Sequence, residues 1–224
     1  MRRIVLCLAL LLVAACTTTS HYPPQPASPP AGPPPPPPPA PPSGPVLLDW
    51  RAIIRPAELG RLDRLNEAWT QALNEARVSG HAEDVAALGD LLDPQTALAP
   101  VTPPAGDYRC RTIKLGAKVY GMPAFTPYGW FKCRISSTPK GLKLEKITGS
   151  QRPSGLLFPD SDRRMVVLGS VSLAEDPPAN SYGLHPDRDF VGVLERVGDR
   201  RWRLAMPWPY LESNLDLIEL ERTP

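Results

Sequence analysis

The sequence predicts an α+β fold, an N-terminal helical hairpin packed on a seven- to eight-stranded antiparallel β-barrel or sandwich. Three observations predict it. Apolar residues recur at three- and four-residue intervals after Pro56, short runs rich in β-branched and aromatic residues follow Asp107, and the turns between those runs are too short for helical crossovers.

Two segments precede this folded part. Met1-Arg2-Arg3 is positively charged, and Ile4 to Ala15 is a run of 12 apolar or small residues, too short to span a bilayer but suited to a signal-peptide core. The run ends in Val13-Ala14-Ala15-Cys16, which resembles the bacterial lipobox. That resemblance implies that residues 1–15 are removed and that the Cys16 thiol carries a diacylglycerol. Thr17 after the anchor is not the aspartate that holds such proteins in the inner membrane. The expected location is therefore the outer membrane, lipid-anchored and facing the periplasm, with more than one acyl chain needed for stable anchoring.

Of the 31 prolines, 15 fall between Tyr22 and Pro45, seven of them consecutively from Pro33 to Pro39. Such a chain lacks amide donors and apolar side chains, so it joins no helix, central strand or core. Residues 16–45 read as a disordered, semi-rigid polyproline spacer; at about 3.1 Å per residue it holds the domain up to roughly 90 Å from the lipid. Residues 46–224 then form a single globular domain, with a helical part over 46–106 and a β part over 107–224.

In the helical part, Leu59, Leu62, Leu65, Trp69, Leu73 and Ala76 make one apolar stripe opposite Arg61, Asp63, Glu67 and Glu75. Pro56 suits the first helical turn and Gly80 the stop. A second, shorter helix over Ala82 to Leu92 buries Val85, Leu88 and Leu91. Pro100, Pro103, Pro104 and Gly106 mark the passage into the β part. There the strand-like runs are Tyr108 to Leu115, Gly129 to Ile135, Leu142 to Thr148, Met165 to Leu173, Phe190 to Val197, Arg201 to Met206 and Leu215 to Leu220, with Gly155 to Phe158 as an eighth. Turns such as Thr138-Pro139-Lys140-Gly141 and Gly198-Asp199 join neighbours in antiparallel fashion. Trp202, Trp208 and Tyr210 read as barrel core and rim.

Cys7 leaves with the signal peptide, so Cys110 and Cys133 are the two cysteines besides Cys16. In an oxidising periplasm the economical reading is one disulfide between them. A metal pair or a catalytic thiol would need an adjacent histidine or a Cys-x-x-Cys partner, and neither cysteine has one.

The formal net charge of +2 conceals an asymmetry. Residues 107–164 carry 12 basic and 4 acidic side chains, whereas 46–106 carry 5 and 9 and 165–224 carry 6 and 10. If Arg109, Arg111, Lys114, Arg134 and Arg152 share a face, they suit an anionic envelope component or an acidic periplasmic protein. If not, they pair with the acidic segments on either side. Strand alternation places Arg109, Arg111 and Arg134 opposite the cysteines, hence outward. The modest net charge and the absence of zinc-finger spacing exclude nucleic acid as the expected partner.

The sequence contains no Gly-x-Ser-x-Gly elbow, phosphate loop, dinucleotide fingerprint or His-Glu-x-x-His helix, and no metal or cofactor is expected. Two loops are candidate chemistry: His185 with Asp187 or Asp189, and Ser150 to Ser154, in which Arg152 offers a bidentate clamp. Each also reads as a polar turn.

Several blocks resemble a known pattern: Tyr108-Arg109-Cys110-Arg111-Thr112-Ile113-Lys114-Leu115-Gly116, Thr148-Gly149-Ser150-Gln151-Arg152-Pro153, Leu194-Glu195-Arg196, and Arg201-Trp202-Arg203-Leu204 followed by Glu212-Ser213 and Ile218-Glu219-Leu220. They are similar to the domain-of-unknown-function family 4893 of alphaproteobacterial envelope proteins, over about Asp49 to Leu220. The resemblance implies an exported protein and one domain spanning helices and strands, and it assigns no activity. The expected function is a non-enzymatic binding or structural module of the cell envelope. The alternatives are an envelope hydrolase or carbohydrate-active enzyme built on the two loops, and a lipocalin-like carrier or protease-inhibitor-like barrel.

Overall fold

A computed structural model describes residues 49–174, 176–177 and 182–223. The expected signal peptide, Cys16 and the proline spacer lie outside the described residues.

The apolar stripe after Pro56 forms two helices, α1 (Pro56–Asp63) and α2 (Leu65–Ala76). Pro56 opens α1 because its missing N–H would have no partner in the first turn. The single continuous helix that the spacing suggests is divided at Arg64, whose φ of −97° and ψ of 18° leave the helical region. A straight rod touches a curved barrel along only a short line, and the break lets each helix seat its own face. Leu62 joins Trp50 over Phe158, Val166, Leu168, Val191 and Val193. In α2 the small residues Ala68, Ala72 and Ala76 are fully buried and bring the helix close to Ile113, Ala205, Leu215 and Leu217, with Trp69 and Leu73 filling the flanks. Gly80, at φ 93°, reverses the chain into α3 (Ala82–Ala87), and a 3-10 turn over Gly89–Leu91 ends the hairpin.

The β part is a closed eight-stranded antiparallel barrel with one extra strand outside it. Its strands are β1 (Gly106–Leu115), β2 (Phe125–Pro127), β3 (Phe131–Thr138), β4 (Gly141–Lys146), β5 (Gln151–Pro159), β6 (Met165–Leu173), β7 (Asp189–Gly198), β8 (Arg201–Pro207) and β9 (Leu215–Arg222). From β3 onward each strand pairs with the next. β1 pairs with β3 through Cys110↔Phe131 and with β9 from Leu115↔Leu215 to Tyr108↔Arg222, which closes the ring. The short β2 lies against the end of β1 that β3 leaves bare, with Leu115 opposite Phe125. Closure removes sheet edges that would otherwise offer unpaired backbone groups.

Strand alternation sends Tyr108, Cys110, Cys133, Ile135, Leu144, Leu157, Met165, Val167, Phe190, Leu194, Leu204 and Ile218 into one packed interior cluster. Cys110 and Cys133 form a disulfide there, joining β1 to β3. At one end, which we call the base, Trp202 Nε1 donates to the Val101 carbonyl at 2.7 Å and Tyr108 stacks edge-on to Trp202 at 5.9 Å, so the approach to β1 plugs the barrel. Gly155 and Gly169 face each other across β5 and β6, and a Cβ on Gly169 would sit 2.6 Å from the Phe190 ring. With no Cβ on either glycine, the two strands and the Phe190 ring pack closely at this point.

Candidate functional site

The connections at the two ends of the barrel differ. At the base, residues 139–140, 160–164 and 199–200 are tight returns. At the opposite end, the mouth, the connections are 116–130, 147–150, 174–188 and 208–214. Among the described residues, every exposed large hydrophobic side chain of the β part lies on these mouth connections, including Val119, Tyr120, Met122, Leu184, Tyr210 and Leu211. The rim is held in place from below. Glu75, at the end of α2, accepts from the Ala117 N–H and the Asn214 amide, each at 2.9 Å, and the Lys118 N–H donates to the Glu212 carbonyl at 2.9 Å.

Inside the rim the interior changes from apolar to charged. Lys114, on the same face of β1 as Cys110, points into the mouth and lies 3.1 Å from Glu212 and 3.1 Å from Asp216. Burial pulls the Lys114 ammonium down, but the Asp216 and Glu212 carboxylates outweigh it and hold its pKa above the ordinary lysine value. Burial pushes Asp216 up against the pull of Lys114 and the Ser213 hydroxyl that donates to it. Gln151 reaches Glu212 at 3.5 Å and separates two small clefts, each of about 50 Å³.

Lys146 is the second lysine of the mouth. Its Nζ donates to the Gln151 carbonyl at 2.8 Å and lies 3.8 Å from the Phe131 ring centroid, and among the described residues it pairs with no carboxylate. Burial, the Arg152 guanidinium and the Lys114 ammonium together lower its pKa to about 8. Gly149 makes room for it, since a Cβ there would stand 2.8 Å from both Nζ and the Phe131 ring.

The outward basic residues are placed differently. Arg109 pairs with Glu221 and Arg111 with Glu219, and both guanidinium groups lie over the Trp130 ring, at 4.3 and 5.0 Å. Arg134 bonds Asp107 at 2.7 Å. These three point outward, as alternation requires, but each has a carboxylate partner, whereas Lys114 points inward and belongs to the mouth. Arg152 donates to the carbonyls of Gly149, Ala174 and Asp176, at 3.0, 2.6 and 2.7 Å, and so ties two mouth connections together.

Most of the segment expected as a Ser150 to Ser154 loop is the start of β5. It meets the His185 to Asp189 connection through Asp176, whose carboxylate accepts from Arg188 at 2.8 Å. The Leu173 N–H, followed by Arg188, holds Asp176 below the usual carboxylate range. A cleft of about 240 Å³ lies between Ser170, Asp176, His185 and Asp187. Asp189 is turned away from it, accepting two bonds from the Gly183 N–H and pairing with Arg55, while Tyr182 donates to Glu58 on α1. Among the described residues the His185 ring pairs with no carboxylate, and no group of three or more His, Cys, Asp or Glu side chains is arranged to hold a metal.

Sequence reasoning missed Lys146, Gln151, Glu212 and Asp216 as neighbours. The inward parity of Lys114 with Cys110, and of Lys146 with Leu144, was the available signal. An eight-stranded antiparallel barrel with one plugged end, helices on its outer wall and a charged, aromatic-rimmed mouth is the class of protein that fold and site define. The chain belongs to the family described as Domain of unknown function (DUF4893), whose model matches residues 50–220, across both the helical and the β part. No curated protein and no solved structure matches the chain.

Proposed function

We propose that this protein is an outer-membrane lipoprotein, anchored through Cys16 and held off the membrane by its proline spacer, whose barrel is a non-enzymatic binding module that recognises a periplasmic partner with its mouth. The observation that carries the recognition reading is the set of exposed apolar side chains on the mouth connections, Val119, Tyr120, Met122, Leu184, Tyr210 and Leu211; Trp130, on the same stretch of chain, stacks instead on the outer wall beneath Arg109 and Arg111. Exposed apolar side chains clustered on one surface are a signature of an interaction site. A disulfide inside the barrel suits an oxidising compartment and so supports export. The paired state of Arg109, Arg111 and Arg134 favours the mouth over the outer basic face as the binding surface.

A carrier of a large apolar ligand is a poorer fit, because the two interior clefts of about 50 Å³ and the polar cleft of about 240 Å³ on the 174–188 connection all fall below the roughly 300–1,000 Å³ such pockets need. The anchor is tested by Cys16→Ser and by globomycin. Both are expected to block lipid-dependent processing and release the protein from the membrane fraction, and unchanged processing and fractionation would remove the anchor from the account. The surface is tested by Tyr120→Ser with Tyr210→Ser against Arg109→Glu with Arg111→Glu. Loss of cross-linked partners is expected from the first pair only.

A further inference from the structure

The Lys146 ammonium has three N–H donors. The Gln151 carbonyl takes one and the Phe131 ring face lies against the group, which leaves a donor for the cleft lined by Thr112, Tyr128 and Ser150. A buried cation without a counter-ion is costly unless something pairs with it. Lys114, in the same cleft, already has two carboxylates, so Lys146 is the uncompensated charge.

We propose that this cleft binds a single carboxylate group, held by the Lys146 ammonium and by the hydroxyls of Thr112, Ser150 and Tyr128. The inference rests on the barrel mouth being a recognition surface and names what it recognises. Size and charge select the ligand. A cleft of about 50 Å³ admits a group no larger than a carboxylate with a short stem. One unpaired ammonium matches one negative charge, and a dianion such as phosphate meets repulsion from Asp216 and Glu212 behind Lys114. The carboxylate of a peptide C-terminus and that of a sugar acid share this chemistry.

The groups around Lys146 give the site a pH dependence. Lys114 on β1 and Arg152 on β5 disfavour its protonated form, while Asp216 on β9 and Glu212 before it face Lys114. With Lys146 titrating at about 8, carboxylate binding weakens tenfold per pH unit above that value, because only the ammonium binds the anion.

The test uses the full mature chain in detergent, with the side-chain NMR signal of Lys146 followed during titration with acetate. N-acetylalanine and glucuronate serve as arms that separate a peptide end from a sugar acid. The expected result is a saturable shift with acetate near pH 7, weakened at least tenfold in Lys146→Met and several-fold in Thr112→Val, and a Lys146 pKa that rises with bound acetate. Whichever larger acid binds more tightly than acetate identifies the source. Absence of a saturable shift, an equal response in Lys146→Met, or tighter binding of phosphate than of acetate would overturn the proposal. Failure of acetate binding while rim cross-links persist strikes this inference alone. Loss of rim cross-links with acetate binding intact strikes the recognition reading.

Discussion

The Lys114 ammonium lies 3.1 Å from a carboxylate oxygen of Asp216, across the β1–β9 seam that closes the barrel. Both side chains are buried, so each neutralises a charge that the interior would otherwise oppose. Lys114→Met leaves Asp216 buried without its partner and is expected to cost about 3–5 kcal/mol near pH 7. Burial already raises the Asp216 pKa, and the variant raises it further, so the penalty is present at neutral pH and shrinks as Asp216 protonates in acid. Urea unfolding near pH 4 and near pH 7 measures the difference, and adding Asp216→Leu is expected to recover most of the loss.

Lys146 predicts the opposite trend. Its folded pKa of about 8 lies below the ordinary 10.5, so the charged form is destabilised in the folded state. That penalty is complete below about pH 8, and stability rises between about 8 and 10.5, where the unfolded chain holds the proton and the folded one does not. The gap corresponds to about 3 kcal/mol. Lys146→Met is expected to be more stable than the native chain near pH 7 by up to that amount and to lose the rise on the alkaline side. Denaturant midpoints across that range decide it.

The disulfide closes a loop between residues 23 apart in sequence, inside the barrel. Replacing both Cys110 and Cys133 with alanine is expected to lower stability by roughly 3 kcal/mol by the chain-entropy argument. A reductant should produce the same loss in the native chain and none in the double variant, which unfolding with and without dithiothreitol measures.

Arg203 fastens the helical part to the barrel. It is fully buried, bonds Glu195 at 2.8 Å, and donates to the carbonyls of Asp90, Leu91, Asp93 and Thr96. Arg203→Leu strips these acceptors of their donor and is expected to cost about 3–5 kcal/mol. It should also expose the 90–96 segment to proteolysis before the barrel strands. Limited proteolysis with mass mapping distinguishes this from uniform destabilisation.

Local patterns were legible in the sequence where one element determines them. Trp69, Leu73 and Ala76 mark the face of α2 that is buried, Met165 to Leu173 is β6 as read, and Cys110 with Cys133 forms the expected disulfide. What depends on contacts distant in sequence was not legible. The β1–β9 seam, which decides between barrel and sandwich, joins residues a hundred or more positions apart. Phe125 to Pro127 is too short a run to announce β2. The site was hidden for the same reason: Lys114 reads as one more member of a basic block until closure brings Asp216 beside it. Arg203 alternates with Trp202 and Leu204 on β8 and so faces outward, where the packing of the 90–96 segment buries it.

The most direct test of recognition by the mouth is site-specific photocross-linking in intact envelopes. A cross-linking residue is placed in turn at Tyr120 and Tyr210 on the rim, and at Lys140 and Asp199 at the base. Recurrent, discrete adducts from both rim positions, absent from both base positions and competed by unlabelled protein, are the predicted result. Adducts from the base positions alone, or the same adducts from both ends, would contradict the account.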